Sequence, residues 1–399
     1  METTHEHPVE TNHRVQIQEV ESQYETPLYP KRDVVVSHGN GTRLYDINGK
    51  EYLDCTAGFG VANLGHCNPQ ILETLRTQAS KIITCPEIFS SPVRAELLQR
   101  LIQVTPGNMT QVFFCNSGTE ANEAAIKFAK YSTGRTDFIA CMRGFHGRTQ
   151  GSLSATFQPK YREPFGPLLP GFTFVPYNNI EKIREATSPN TAGIIIELVQ
   201  GEGGVNPADK QYIRELREHC NENGVLLIID EVQTGFGRTG ELFASTVYEV
   251  EPDIMTLAKS IANGIPMGAV ICNDKISMKP SLHGSTFGGN PLACATAITV
   301  LDIMTEPNFF DTVKEKASYF QSQLSQLDFQ IIRDIRSVGM MFGIELRTRA
   351  QPYLEKLMEY GILALPAGTT VIRLLPPLTI SFEEIDRVVE TLRSIFTQE

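Results

Sequence analysis

The chain has 399 residues, 41% of them hydrophobic, and a formal net charge of −11 at pH 7. That length calls for two or more domains, and the acidic balance argues against binding a phosphate backbone as the main business. No apolar run approaches the roughly 18 residues of a membrane span, and the polar start METTHEHPVETNHRVQ has no apolar signal core, so a cytoplasmic protein with no nucleic-acid or membrane partner is expected.

Residues 1–22 show no hydrophobic periodicity and are predicted to form a flexible tail. His5, His7 and His13 lie there without accompanying Cys or an apolar frame, so no metal site is expected. The eight cysteines include no C-x-x-C pair, and most sit among apolar neighbours, as in VFFCNS and LACATA, which reads as buried free thiols. Residues 43–54, RLYDINGKEYLD, read as a β-hairpin, because Asn48-Gly49 tolerates the positive φ of a tight turn. AGFGVANLGHCNP follows, with Gly58, Gly60 and Gly65. It is an irregular segment that either lines something or simply connects a strand to a helix.

Residues 111–115, QVFFC, form a predicted buried strand that runs into NSGTEANEAAIKFAKYSTGR. There Ala121, Ala124, Ala125, Phe128 and Ala129 recur at helical spacing, and Gly134 fits the helix end. Ser117, Gly118 and Thr119 thus sit at a helix N-terminus after a strand. Free N–H groups, two hydroxyls and the positive dipole end make an anion site there, although on these residues alone the plain reading, Ser117 or Thr119 as a mere cap, is the favoured one. Residues 137–142 read as the next strand and lead into RGFHGRTQGSLSAT, where an aromatic, a histidine and an arginine crowd a Gly-rich turn. A buried strand over 192–199, the turn 200–204 (QGEGG), a helix over 211–221 and a strand over 225–229 follow. This alternation argues for a mostly parallel sheet with helices on its faces.

The strand over 225–229 ends in Asp-Glu, and a second run, Ile254–Leu257, ends in Ala-Lys-Ser. Ligands of an α/β sheet collect at the carboxyl ends of its strands, so Asp230 and Lys259 can face one bound molecule. A carboxylate that keeps a ring nitrogen protonated, beside a lysine that forms a Schiff base, is what pyridoxal phosphate needs. Each also has a plain reading, Asp as a cap or turn former and Lys as solvated surface. Residues 235–240 match G-x-G-x-x-G, but five residues separate them from the strand and no long amphipathic helix follows, which counts against a dinucleotide. HGSTFGGNPLAC, 283–294, is a polar Gly-rich loop before an Ala-rich helix. Beyond Pro307 come amphipathic helices and short strands, including 339–346, 371–375 and a last helix over 381–398 with a Ser381/Glu384 capping box. The expected division is a tail over 1–22, a small domain from 23–61 and 307–399, and a large domain over 62–306.

From about Tyr24 to the last helix the chain resembles the class III (ω-amino group) aminotransferases of fold type I, which use pyridoxal phosphate. The resemblance rests on NSGTEANEAAIK, GFHGRT, QGEGG, DEVQTGFGRTG, LAKS, HGSTFGGNP and VIRLLPP, in that order. It implies an α/β fold with a large cofactor-binding domain built on a mostly parallel sheet, plus a smaller α/β domain. By the same resemblance Lys259 would carry the cofactor and shuttle the proton, and Asp230 would pair with the pyridine nitrogen. Gln233 would bond the ring hydroxyl, with Val232 and Phe145 on opposite ring faces. The amides of Gly118 and Thr119, helped by Ser117, would hold the phosphate. Thr286 would reach the phosphate of a neighbouring subunit, which implies a homodimer with shared active sites.

Within the family the sequence looks like the acetylornithine branch, and equally like relatives that handle lysine precursors held on an acidic amino-group carrier protein. Arg148 would then bind the substrate's α-carboxylate, with Ser285 in the same pocket across the dimer and Phe59 at a position where the branches differ. Glu202 and Arg373 would form a switchable ion pair that admits glutamate and 2-oxoglutarate in turn. The resemblance implies transfer of the terminal amino group of an N2-acyl ornithine or lysine to 2-oxoglutarate. An aminomutase or decarboxylase on the same fold is the rival, and it would need no external amino acceptor.

Overall fold

The segments Thr191–Ile196, Leu226–Asp230 and Ile254–Leu257 are buried at every position, the mark of strands covered on both faces. In the computed structural model, which describes residues 8–398, they form the centre of a seven-stranded sheet. Its order is Met109–Cys115, Gly268–Asn273, Ile254–Leu257, Leu226–Asp230, Thr191–Ile196, Asp137–Cys141, Phe172–Val175. All run parallel except Gly268–Asn273, which is antiparallel to both neighbours. The expected α/β architecture is therefore the observed one. Gly268–Asn273 and Phe172–Val175 were not predicted, since GAVICN and FTFV are too short to separate from buried helix or loop by pattern.

Two four-stranded sheets accompany the seven-stranded one. One comprises Val36–Asn40, Arg43–Asp46, Glu51–Asp54 and Ile362–Leu363, so that segments from both ends of the chain share it. Ile332–Val338, Met341–Leu346, Val371–Leu374 and Leu365–Ala367 form the other. The predicted hairpin is present, but of its turn residues only Gly49 has positive φ, at +80°. The Asp46 carboxylate closes the turn instead, accepting from the amides of Asn48 and Lys50 at 2.9 Å each.

The helix Gly118–Thr133 starts at Ser117, ends at Gly134 with φ +68°, and buries the predicted stripe of alanines and Phe128. The last helix, Phe382–Thr397, carries the Ser381/Glu384 capping box. The tail differs from expectation. Pro8–Tyr24 is a helix, tied to the following segment by Lys31, which pairs with Glu21 and Glu25, and by Arg14, which pairs with Asp33. These pairs are exposed and contribute little each; a polar helix of this kind has no apolar stripe for a sequence reading to find. Residues 1–7, with His5 and His7, lie outside the described residues. Among the described residues no group of three His, Cys, Asp or Glu could hold a metal ion. Of the cysteines only Cys67 is exposed and Cys85 half-buried; the others are buried free thiols, as expected.

Residues 235–240 fold as successive turns, and the helix beyond them, Ala244–Val247, has only 4 residues. Their arginine is buried. Arg238 donates through Nη1 to the carbonyls of Met340 (3.0 Å) and Pro376 (2.6 Å), and through Nη2 to Asn63 Oδ1 (2.5 Å).

Candidate active site

Strand register brings the two central groups to one end of the sheet. Asp230 is the last residue of its strand and pairs beside Thr256 of the next, and Lys259 follows Thr256 by one short turn. Lys259 has φ +44°, a left-handed conformation uncommon for a residue with a side chain, and such strain gathers at functional sites. Burial pushes its ammonium down to about 8; Arg373 acts in the same direction, against Glu202, Asp230 and Glu197.

Asp230 is buried and held from three sides. Its Oδ2 accepts from Asn122 Nδ2 at 2.8 Å and lies 2.8 Å from His146 Nδ1, while Oδ1 accepts from the Val232 amide at 3.0 Å. Asn122 is fixed in turn, donating to the His146 carbonyl at 2.7 Å and accepting from Thr256 Oγ1 at 2.9 Å. Burial disfavours the charged His146 ring, but the Asp230 hydrogen bond and charge, with Glu197, outweigh it and raise the imidazole above its ordinary value. Burial pushes Glu197 up to about 7, with Asp230 adding to the rise, against His146 and the amides of Phe145 (2.9 Å) and Gly201 (3.3 Å) that it accepts from.

At the helix N-terminus the amides of Gly118 and Thr119 have no acceptor among the described residues. The Ser117 hydroxyl accepts from the Glu120 amide at 3.3 Å, so it is also the cap. The Thr119 hydroxyl turns the other way, accepting from the amides of Arg148 and Thr149 at 3.1 Å each. Glycine is required on both sides of this cradle. A Cβ on Gly118 would stand 2.7 Å from Val232 Cγ1, and one on Gly147, with φ +136°, would stand 2.3 Å from Thr119 Oγ1.

Ser117, Gly118, Thr119, Phe145, Arg148, Glu202, Asp230, Val232, Gln233 and Lys259 all line one cavity of about 430 Å³. Arg373 reaches it through a neighbour: its Nη1 is 2.7 Å from Glu202 Oε1 and 3.2 Å from Gln233 Oε1. Arg373 is fully buried, and its Nε and Nη2 have no hydrogen-bond partner among the described residues. Burial would raise Glu202, but Arg373, Lys259 and Arg148 together hold its carboxyl below the usual range. Phe59, Ser285 and Thr286 do not line this cavity. Phe59 is 54% exposed in a turn whose residues Ala57, Gly58, Phe59 and Gly60 all have positive φ, while the adjoining Val61 does line the cavity. Ser285 Oγ accepts from the cavity residue Asn116 at 3.1 Å, and Thr286 is exposed.

Sequence reasoning missed Asn122 and gave His146 and Glu197 no role. Their one signal was misplaced polarity: an amide on an alanine face, and a carboxylate inside IIIELV.

The family model described as "Aminotransferase class-III" matches residues 27–396. The acetylornithine aminotransferase of Methanosarcina mazei is 43% identical over 93% of this chain and 94% of that protein. The [LysW]-aminoadipate semialdehyde transaminase of Deinococcus radiodurans is also 43% identical, over 94% of this chain and 89% of that protein. Among solved structures, the ornithine aminotransferase of Toxoplasma gondii superimposes with a TM-score of 0.93 at 32% identity, covering 99% of both chains.

Proposed function

We propose that this chain, which belongs to the class III aminotransferases, moves the terminal amino group of an N2-acyl ornithine or lysine to 2-oxoglutarate, giving a semialdehyde and glutamate. The observation that carries the reading is the lowered amine of Lys259 beside the buried carboxylate of Asp230 in one cavity that also holds Arg148 and Glu202.

The residues fit pyridoxal phosphate, the cofactor of the family. Unpaired amides at a helix N-terminus suit a phosphate. A carboxylate fixed by Asn122, His146 and the Val232 amide suits a protonated ring nitrogen, with Phe145 and Val232 as the walls and Gln233 for the ring hydroxyl. When bound, that cofactor supplies an electron sink for the charge left on the substrate carbon. The chain does the rest. Lys259 Nζ would hold the cofactor, and the same amine is placed to carry the proton at the amino-bearing carbon. Arg148 offers a planar fork to the α-carboxylate of the acyl diamine. Glu202 covers Arg373 while that substrate is bound and uncovers it for the second carboxylate of glutamate. The unpartnered Nε and Nη2 of Arg373 support this reading.

The reading includes a homodimer in the cytoplasm, with Thr286 reaching the partner's phosphate. Exposed Phe89 (61%) and Phe287 (60%) support such a face, as does Arg94, which ties their two loops together by donating to the carbonyls of Gly289 (2.9 Å) and Phe89 (3.0 Å). It also divides the chain at 62–306, with 23–61 and 307–399 as the smaller part, supported by the sheet that both chain ends share. A second reading, favoured by the name of the Deinococcus radiodurans relative, places the acyl group on an acidic carrier protein. Purified enzyme with 2-oxoglutarate should deaminate N2-acetylornithine or the carrier-bound amine. Turnover of neither, or turnover without 2-oxoglutarate, would sink the proposal.

A further inference from the structure

Arg148 is exposed at the cavity and has no carboxylate partner among the described residues. Its fixed side-chain contacts are aromatic. Its Cζ stands 3.6 Å from the centre of the Tyr161 ring and 5.4 Å from that of Phe145. At 3.6 Å a guanidinium has to lie flat on the ring face, because that distance is the van der Waals contact of two planar groups. A guanidinium stacked in this way keeps its N–H donors in its own plane, pointing past the ring, and its edge stays free for a bidentate carboxylate. Tyr161 is itself held. Its amide donates to the Gln158 carbonyl at 3.0 Å, its ring meets Phe145 edge-on at 6.2 Å and 86°, and the chain just before it is pinned by the Phe157 amide on the Gly144 carbonyl at 3.0 Å. Phe145 is anchored in turn by its amide on Glu197.

We propose that Tyr161 is a positioning residue: its ring presets the plane of Arg148 and so gives the site its preference for amines that carry an α-carboxylate. The inference rests on the proposed role of Arg148. An exposed arginine without this platform samples many rotamers, and each binding event then has to order it. With the platform, the ordering is done before the substrate arrives. The effect falls on recognition of the carboxylate and leaves the chemistry at the far end of the substrate alone.

The test compares N2-acetylornithine with N-acetyl-1,4-diaminobutane, the same amine without its α-carboxylate, on the holoenzyme. Tyr161→Leu should raise KM for N2-acetylornithine roughly 3- to 30-fold, the range of a cation–π contact. For the analogue, KM should stay within about twofold of wild type. Tyr161→Phe, which keeps the ring, should recover most of the loss. Equal effects of Tyr161→Leu on both amines, or a Tyr161→Phe variant as impaired as Tyr161→Leu, overturns the inference. Arg148→Gln separates this from failure of the underlying reading. If Arg148→Gln abolishes the discrimination and Tyr161→Leu does not, only the positioning role falls. If Arg148→Gln leaves the discrimination intact, or the wild type shows none, both readings fall.

Discussion

Lys259 is held where its charged form is disfavoured, which makes a pH prediction possible at the scale of one residue. Burial lowers its pKa to about 8 from an ordinary 10.5. Only the neutral amine attacks an aldehyde, so lowering the pKa widens the window in which it is reactive. The rate at which apoenzyme takes up pyridoxal phosphate covalently should therefore climb with pH, reach half its plateau near 8 and level off above it. Stopped-flow absorbance of the developing yellow colour reads this directly. A midpoint near 10 would mean that the amine is solvated. Borohydride followed by peptide mapping should place the label on Lys259, and Lys259→Ala should abolish turnover. At this scale the sequence was readable for placement: Asp230 and Lys259, each at the end of a strand pattern, face one cavity. It was not readable for Asn122, His146 and Glu197. Each comes from a different element, and their shared environment exists only once helix Gly118–Thr133 and strand Thr191–Ile196 pack beside Leu226–Asp230.

Between elements, the informative contact is the one from turn 201–204 to strand Val371–Leu374. Arg373 is buried, and among the described residues two of its nitrogens are unpaired and its one carboxylate partner is Glu202, mounted on a Gly-rich turn. A permanent structural pair would satisfy both partners fully, because an unsatisfied buried donor costs free energy. Arg373→Gln should therefore slow the half-reaction with glutamate by about two orders of magnitude or more, the loss of a buried charge-assisted contact of roughly 3–5 kcal/mol. Deamination of the acyl diamine should survive within about tenfold. Arg148→Gln should do the reverse. Single-turnover spectra of each half-reaction separate the cases, and equal losses in both for Arg373→Gln would assign the pair a structural role. The pair was expected only through the family resemblance that QGEGG and VIRLLPP carry; its open nitrogens were not legible, since they depend on what surrounds a contact between residues far apart in the chain. The strands themselves were legible where branched aliphatics run unbroken. They were not legible in GAVICN, and the helix Pro8–Tyr24 carries no apolar stripe.

At the scale of the molecule two features join parts that the sequence keeps separate. Arg238, inside a motif that looks like a nucleotide fingerprint, is a staple between the turn after Leu226–Asp230 and the segments around Met340 and Pro376. Arg238→Ala would leave two carbonyls and the Asn63 side chain without this donor, and should lower unfolding stability by on the order of 3–5 kcal/mol. A denaturation midpoint unmoved in that variant would rule the staple out as a stabilising contact. The second feature concerns two copies of the chain. Thr286 is exposed on a loop that Arg94 ties to the loop bearing Phe89, and Phe89 and Phe287 are both largely exposed. If these loops meet a partner, cofactor affinity becomes a property of the dimer, because the phosphate is completed only by the other subunit's hydroxyl. Thr286→Ala should then weaken cofactor retention by about 1.5–3 kcal/mol, the value of one hydrogen bond to a charged group. Retention by the wild type should also fall with dilution, in step with dissociation of the dimer. Sedimentation and cofactor absorbance recorded over the same dilution series check both. A dissociated chain that keeps full affinity, with Thr286→Ala indistinguishable from wild type, would show that each subunit completes its phosphate site alone.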